Sequence, residues 1–186
     1  MIKKMRADSY QREGLIEMLE YMKDSYERRG YNLALGQVVE FGTFLGESAE
    51  IFSHYFHSVH TIDPWDEEFM TNVAGENMTL PRIRAEFLRN TEGCMNITQH
   101  RMPSAVASRM FPDNTVDLVY IDGWHHFSVV SADILTWLPK VRKGGWIGGH
   151  DYMSEVNSQV IPAVKAMLSS PDYVFGDYSW IKEIPV

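Results

Sequence analysis

Apolar residues recur at helical spacing near the start of the chain and then gather into short runs. Residues 9–29 carry apolar side chains every three or four positions and are followed by Gly30, which predicts a helix that ends there. Residues 37–41 form an apolar run with an acid near its end, followed by Gly42 and Gly46 and by an amphipathic segment at 48–56. This order predicts a buried strand, a tight turn and a helix.

The alternation of strand and helix patterns continues along the chain. Further strands are predicted at residues 58–63, 96–101, 115–123 and 146–152, helices at 81–90, 105–111, 127–143 and 158–168, and a final hairpin at 173–175 and 180–184. Residues 66–80 are polar and are predicted to form a loop. The order predicts an α/β fold with a doubly wound, Rossmann-like sheet that is mostly parallel and has an antiparallel hairpin strand near its C-terminal end.

Composition favours one soluble domain. The 186 residues are 45% hydrophobic and 23% charged, so we expect one domain over 1–186, with a helix and linker at 1–36 and the core at 37–186. The N-terminal helix either covers one side of the sheet or closes over a substrate. The net charge of −8 and the absence of a basic cluster argue against nucleic acid as a partner.

Targeting and bridging features are absent from the sequence. Cys94 is the only cysteine, so an internal disulfide is excluded. No apolar signal segment follows the N-terminus, and no run of about 20 apolar residues could span a bilayer. We therefore expect a cytoplasmic protein without a membrane partner. The sequence is compatible with a homo-oligomer and does not decide the oligomeric state.

The turn between Gly42 and Gly46 is a candidate ligand site. Glycine suits unusual backbone angles and close approach of a ligand, and the following helix offers free N–H groups. The spacing Gly42-x-x-x-Gly46 differs from the GxGxxG of dinucleotide binders. Asp63 ends the next strand 21 residues after Gly42, where it can accept hydrogen bonds from ribose hydroxyls. The alternative is a turn aspartate before Pro64. Trp65 either stacks on adenine or packs beneath the loop.

Two later strands end in residues that can do chemistry. Asp122 is followed by His125, and His150 precedes Asp151. Asp122, His150 and Asp151 are candidate ligands for Mg²⁺ or Mn²⁺, which would lower the pKa of a substrate hydroxyl. His125, about one turn beyond Asp122, is a candidate general base. Asp122 is predicted to take part in catalysis together with His125. The alternative is that these residues are turn and cap residues.

These motifs resemble those of a known family. The pattern E-x-G-x-x-x-G at 40–46 and the blocks I-D-G-W-H-H-F and G-G-W-I-x-x-H-D-Y are similar to class I S-adenosylmethionine (SAM) methyltransferases, in particular the macrocin-type O-methyltransferases. The resemblance implies SAM as cofactor and the metal and base roles just given. His150 departs from the pattern, because the metal-dependent sugar enzymes have an acid there. The cofactor contacts that we expect are Glu40, Gly42, Thr43, Phe44, Gly46, Glu47, Ser48, Asp63, Pro64, Trp65, Ser104 and Asp122.

The predicted function is methyl transfer from SAM to a hydroxyl of a sugar or another small molecule, assisted by a divalent metal. Two alternatives stay open at this point. An NAD(P)-dependent Rossmann-fold oxidoreductase would share the sheet and the ribose acid. A non-catalytic SAM-binding module would use Asp122, His125 and Asp151 only as structural residues.

Overall fold

One mostly parallel sheet organises the chain. The computed structural model describes residues 9–65, 79–153 and 159–186, and within them seven strands lie in the order β3-β2-β1-β4-β5-β7-β6. The strands are β1 (Gln37–Phe41), β2 (Ser58–Ile62), β3 (Ile97–His100), β4 (Val116–Ile121), β5 (Val141–Gly149), β6 (Tyr173–Val174) and β7 (Trp180–Glu183). Strands β1 to β5 are parallel, and β7 is antiparallel to both β5 and β6. The predicted α/β fold is confirmed.

Helices cover both faces of this sheet. They are α1 (Ser9–Arg28), α2 (Glu47–Ser53), α3 (Leu80–Asn90), α4 (Ser104–Ala107), α5 (Phe127–Trp137) and α6 (Val160–Leu168). Apolar residues of α1 and α2 pack on one face, and those of α4, α5 and α6 pack on the other. Helix α3 packs against α2 in a smaller cluster. The carboxyl ends of β1, β4 and β5 therefore meet at one edge, between the two helical layers.

Alternate residues of the central strands pack into the hydrophobic cores on the two faces of the sheet. Val38 and Leu118 face the layer of α1 and α2, whereas Val39 and Val119 face the layer of α5 and α6. Side chains of a strand alternate between its two faces, so a strand between two helical layers is apolar on both. All six residues of β4 are buried, which explains why its sequence is an almost continuous apolar run.

The predicted boundary between α5 and β5 is wrong. The glycines at 144–145 were expected to cap a long helix, but α5 ends at Trp137 and β5 already begins at Val141. Pro139 lies in a 3₁₀ turn between them and cannot continue a helix, since it lacks an N–H donor. Gly144 has φ of +71° and lies where the β4–β5 register shifts, so it accommodates an irregularity in the strand.

Part of one predicted loop lies outside the described residues. The prediction covered 66–80, of which residues 66–78 are not described, and Leu80 already belongs to α3. The predicted start of the last helix at Ser158 is also outside the described residues, whereas Pro162 occupies its first turn as expected. Across the three described stretches, no helix combines the length and apolar character that a membrane span needs.

Candidate functional site

A cavity of about 480 Å³ opens at the carboxyl ends of the parallel strands. This volume is within the range of sites that hold small molecules and cofactors. Its walls come from α1, the β1–α2 turn, the ends of β4 and β5, and the β6–β7 turn. The lining residues are Gln11, Arg12, Leu15, all residues of 42–48, Ile51, Tyr120, Asp122, His150, Asp151 and Asp177.

The β1–α2 turn depends on its two glycines. Gly42 has φ of +79°, and a Cβ there would overlap the backbone carbonyl oxygen of Asp122. Gly46 has φ of +76°, and a Cβ there would lie 2.7 Å from the ring of Phe87. L-residues with side chains rarely adopt such angles. The glycines thus let the turn lie directly against the end of β4 and against α3, and the predicted requirement for glycine here has a physical reason.

Glu40 lies buried beneath this turn. Its carboxylate accepts hydrogen bonds from the hydroxyl groups of Thr43, at 2.8 Å, and of Ser48. Burial raises the pKa of Glu40 to about 8, although both hydroxyl groups oppose the shift. A cation bound above the turn would favour its charged form. Through Thr43 and Ser48, Glu40 joins the end of β1 to the turn and to the start of α2.

Asp63 lies beside the turn, as its place in the sequence predicted. Its Oδ2 accepts a hydrogen bond from the backbone N–H of Phe44 at 3.3 Å, and its Oδ1 accepts one from that of Trp65 at 2.8 Å. The carboxylate borders a narrow crevice next to Gln99 and Arg101, not the main cavity. Pro64 is exposed beside it. Contact between Asp63 and a ribose remains a prediction.

Two expected cofactor contacts, Trp65 and Ser104, have other partners. Trp65 is 4% exposed and packs edge-to-face on Phe87, with ring centroids 5.5 Å apart, so the structure has the packed arrangement of the two alternatives. The hydroxyl group of Ser104 donates a hydrogen bond to Asp133. Burial raises the pKa of Asp133 to about 6. Neither Trp65 nor Ser104 lines the main cavity.

His125 is held by acids from two strands. Its Nε2 lies 2.8 Å from Oδ2 of Asp151 and 4.0 Å from Oδ1 of Asp122. The hydrogen bond with Asp151 raises the pKa of His125 above its ordinary value. Loss of solvent raises the pKa of Asp122 to about 7, and the negative charge of Asp151 adds to the shift. His125 itself does not line the cavity, but both of its acidic neighbours do.

His150, a predicted metal ligand, lies beside Asp151 and Asp177. Its Nδ1 lies 3.4 Å from Asp151, and its Nε2 lies 3.8 Å from Asp177. Burial opposes its protonation, but the hydrogen bond and charge of Asp151, with the charges of Asp122 and Asp177, raise the pKa of His150 to about 9. Within the described residues, the set that could hold an ion is Asp122, His125 and Asp151, with ligand atoms within 4.8 Å of one another. The metal role of His150 stays a prediction.

The sequence did not reveal several residues that line the cavity. Asp177 looked like an ordinary hairpin turn residue, yet its carboxylate accepts hydrogen bonds from the N–H and hydroxyl of Ser179, both at 2.9 Å. The same hydroxyl contacts Tyr120 of β4 at 3.1 Å, which joins the hairpin to the sheet. Arg12 and Gln11 come from α1, which both packs on the sheet and closes one side of the cavity. No local pattern marks these positions, because chain folding alone brings them together.

Comparison with known proteins identifies related sequences. A family model described as a methyltransferase domain matches residues 39–152. An uncharacterized protein of Acanthamoeba polyphaga mimivirus is 28% identical over 149 residues, which cover 76% of this chain and 62% of that protein. This chain therefore spans less than two thirds of the length of that relative.

Two solved structures share the fold. The N-methyltransferase NodS from Bradyrhizobium japonicum matches with a TM-score of 0.65 and 11% identity, over 98% of this chain and 100% of that one. The O-methyltransferase NovP matches with a TM-score of 0.64 and 15% identity, over 92% of this chain and 81% of that one. At such low identity these likenesses establish the arrangement of the sheet and helices, and the acceptor does not follow from them.

Proposed function

This chain belongs to the methyltransferase family whose model matches residues 39–152, and from that membership we propose that it transfers the methyl group of SAM to a hydroxyl group of a small molecule. Membership removes the support for the NAD(P)-dependent oxidoreductase alternative. The observation that carries the choice of a hydroxyl acceptor is the 2.8 Å contact between His125 and Asp151 beside the cavity. An imidazole fixed by a carboxylate is suited to take a proton from a hydroxyl group.

The cavity suits a cationic cofactor. Its described lining includes four acidic residues against two basic ones, Arg12 and His150; the acids are Glu47, Asp122, Asp151 and Asp177. Negative charge around a site favours a bound cation, and bound SAM supplies a positively charged sulfonium with a reactive methyl group. Asp63 would hold the adenosine, since the ends of β1 and β2 are neighbours in the sheet. The methyl group would then face the ends of β4 and β5.

The residues at the ends of β4 and β5 would align and deprotonate the acceptor. Asp151 holds the Nε2 side of the His125 ring, so Nδ1 is the nitrogen that takes the acceptor proton. The acceptor oxygen forms a bond to the methyl carbon as the bond from that carbon to sulfur breaks. Asp122 stabilises the protonated imidazole from 4.0 Å. Alignment of the two reactants is the main requirement of such a transfer.

Asp122, His125 and Asp151 also form a set that could hold a metal ion. Two carboxylates and one imidazole suit Mn²⁺ better than Mg²⁺, which prefers oxygen ligands, and Asp122, His125 and Asp151 would hold it. A divalent ion there would supply Lewis-acid activation of the hydroxyl group. The two roles of His125 exclude each other at Nε2, which cannot both bind an ion and donate to Asp151. We propose the base role, because 2.8 Å is a hydrogen-bond distance.

Replacement of His125 tests this assignment. His125→Ala should lower kcat by about 100-fold or more, the usual contribution of a positioned base, and leave the affinity for S-adenosylhomocysteine within about twofold. The assay follows transfer of a labelled methyl group from SAM to a panel of sugars and phenols. His126→Ala is the matched control, since His126 is the neighbouring exposed imidazole and packs on Trp124, and it should keep wild-type turnover.

The same assay separates the two roles of His125. Wild-type turnover that survives EDTA, together with a large loss in His125→Ala, supports the base role. Loss of turnover in EDTA and its recovery with Mn²⁺ would assign His125 to a metal site instead. Unchanged turnover in His125→Ala would remove this histidine from the mechanism and leave the hydroxyl acceptor without support.

A further inference from the structure

Helix α1 contributes one arginine to the cavity. We propose that Arg12 binds the carboxylate of the cofactor's methionine arm, which makes α1 part of the cofactor site. The inference rests on the proposed function, because it takes SAM as the ligand. Neither the sequence motifs nor the matched family segment, residues 39–152, includes this residue.

The position of Arg12 is fixed by the docking of α1. Leu15, one turn further along, is buried against the layer formed with α2. Gly14 of α1 packs against the β6–β7 turn. A Cβ at Gly14 would overlap the side chain of Asp177 in that turn. The guanidinium of Arg12 reaches across to α2, where Nη1 lies 3.3 Å from Oε2 of Glu50. Helix α1 thus holds Arg12 at the wall of the cavity that faces α2.

The shape of the cofactor assigns its methionine arm to this wall. A sulfonium carries three arms, and two of them already have directions in the proposed function. The adenosine would extend towards Asp63, and the methyl group would point to Asp122 and Asp151. Helices α1 and α2 contribute Arg12, Leu15 and Ile51 to the remaining part of the lining. The amino-acid arm of the cofactor would occupy that part.

The charged residues that line the cavity also favour Arg12 as the partner of the carboxylate. The described lining holds four aspartates or glutamates and two basic side chains, Arg12 and His150. His150 lies beside Asp151 and Asp177, so Arg12 is the basic residue that α1 presents towards α2. A ligand carboxylate near Glu47 and Glu50 would be repelled unless a cation lay between them. A guanidinium has five N–H donors in a planar fork, so Arg12 can contact Glu50 and a ligand carboxylate together. Arg12 would therefore neutralise the carboxylate of SAM, whose sulfonium and amino groups are cationic.

A pair of ligands that differ only in the carboxylate tests the inference. Arg12→Gln and the wild type are titrated by calorimetry with SAM and with decarboxylated SAM, in the absence of an acceptor. The variant should bind SAM about tenfold more weakly or worse, as expected for a lost charge-assisted hydrogen bond, and decarboxylated SAM within about twofold of wild type. The affinity of Arg12→Lys for SAM should lie between those of the wild type and Arg12→Gln, since lysine keeps the positive charge but lacks the planar array of N–H donors.

Lys23→Gln is the matched control. Lys23 is on the same helix, its side chain is 45% exposed against 44% for Arg12, and it also pairs with one glutamate, Glu20 at 3.4 Å. This variant should bind both ligands as wild type does. Equal weakening of both ligands in Arg12→Gln, or no weakening of either, would overturn the assignment. Failure of the wild type to bind SAM at all would instead reject the proposed function.

Discussion

Gly42→Ala should both destabilise the protein and weaken cofactor binding. The new Cβ would overlap the carbonyl oxygen of Asp122, and the residue would need φ near +79°. Backbone strain and overpacking together should lower the free energy of unfolding by about 3 kcal/mol or more. Separation of the turn from the end of β4 should weaken S-adenosylhomocysteine binding about tenfold, or about 1.4 kcal/mol. Urea unfolding and calorimetric titration measure the two effects.

Gly30→Ala is the control that separates strain from collision. Gly30 has φ of +76°, close to that of Gly42, but apart from its chain neighbours no atom of the described residues lies within 4 Å of the position of its Cβ. This variant should lose only the cost of the left-handed conformation, about 1–2 kcal/mol, and should bind S-adenosylhomocysteine normally. Equal losses in the two variants would contradict the close contact between the glycine turn and β4.

Asp117→Ala should be the most destabilising change at the other end of the strands, near the start of β4. Its carboxylate accepts hydrogen bonds from the backbone N–H of Gln37 at 2.8 Å, from the hydroxyl of Tyr26 at 3.3 Å and from Arg142. Removal would leave the half-buried guanidinium of Arg142 without this acid and the N–H of Gln37 unpaired. Breaking such a network should lower the free energy of unfolding by about 3 kcal/mol. Urea unfolding measures the loss.

Asp113→Ala is the matched control for Asp117. Asp113 pairs with Lys140 at 2.6 Å, but its side chain is 60% exposed. Exposed ion pairs contribute at most about 1 kcal/mol, so this variant should unfold almost like wild type. Asp117 lies near the start of β4, whereas the cavity is at the end of that strand. Folded Asp117→Ala should therefore keep the wild-type affinity for S-adenosylhomocysteine, and reduced affinity would show that the two ends of the strand are coupled.

The sheet was predictable because each central strand carries its own pattern. Residues 115–121 are apolar on both faces, and the strand ends at Asp122, so burial and direction follow from local sequence. The start of β5 was missed for a local reason as well. Gly144 resembles a helix cap, and its role at a register shift depends on pairing with β4, which is distant in sequence.

The candidate site was only partly predictable. Motif spacing placed Gly42, Asp122 and Asp151 at one edge, because the ends of neighbouring parallel strands meet there. It could not decide how the two imidazoles lie against these acids, since that depends on side-chain direction. Nε2 of His125 lies 2.8 Å from Asp151, and Nδ1 of His150 lies 3.4 Å from it. Arg12 and Asp177 reach the cavity from a helix and a hairpin far away in sequence, so only tertiary packing shows their position.

Calorimetric titration of the purified protein with S-adenosylhomocysteine, and separately with NAD, tests the central claim most directly. The glycine turn, the acidic lining and the family membership predict saturable binding of S-adenosylhomocysteine and none of NAD. A folded sample that binds NAD and not S-adenosylhomocysteine would contradict the account, because the same cavity would then serve a dinucleotide.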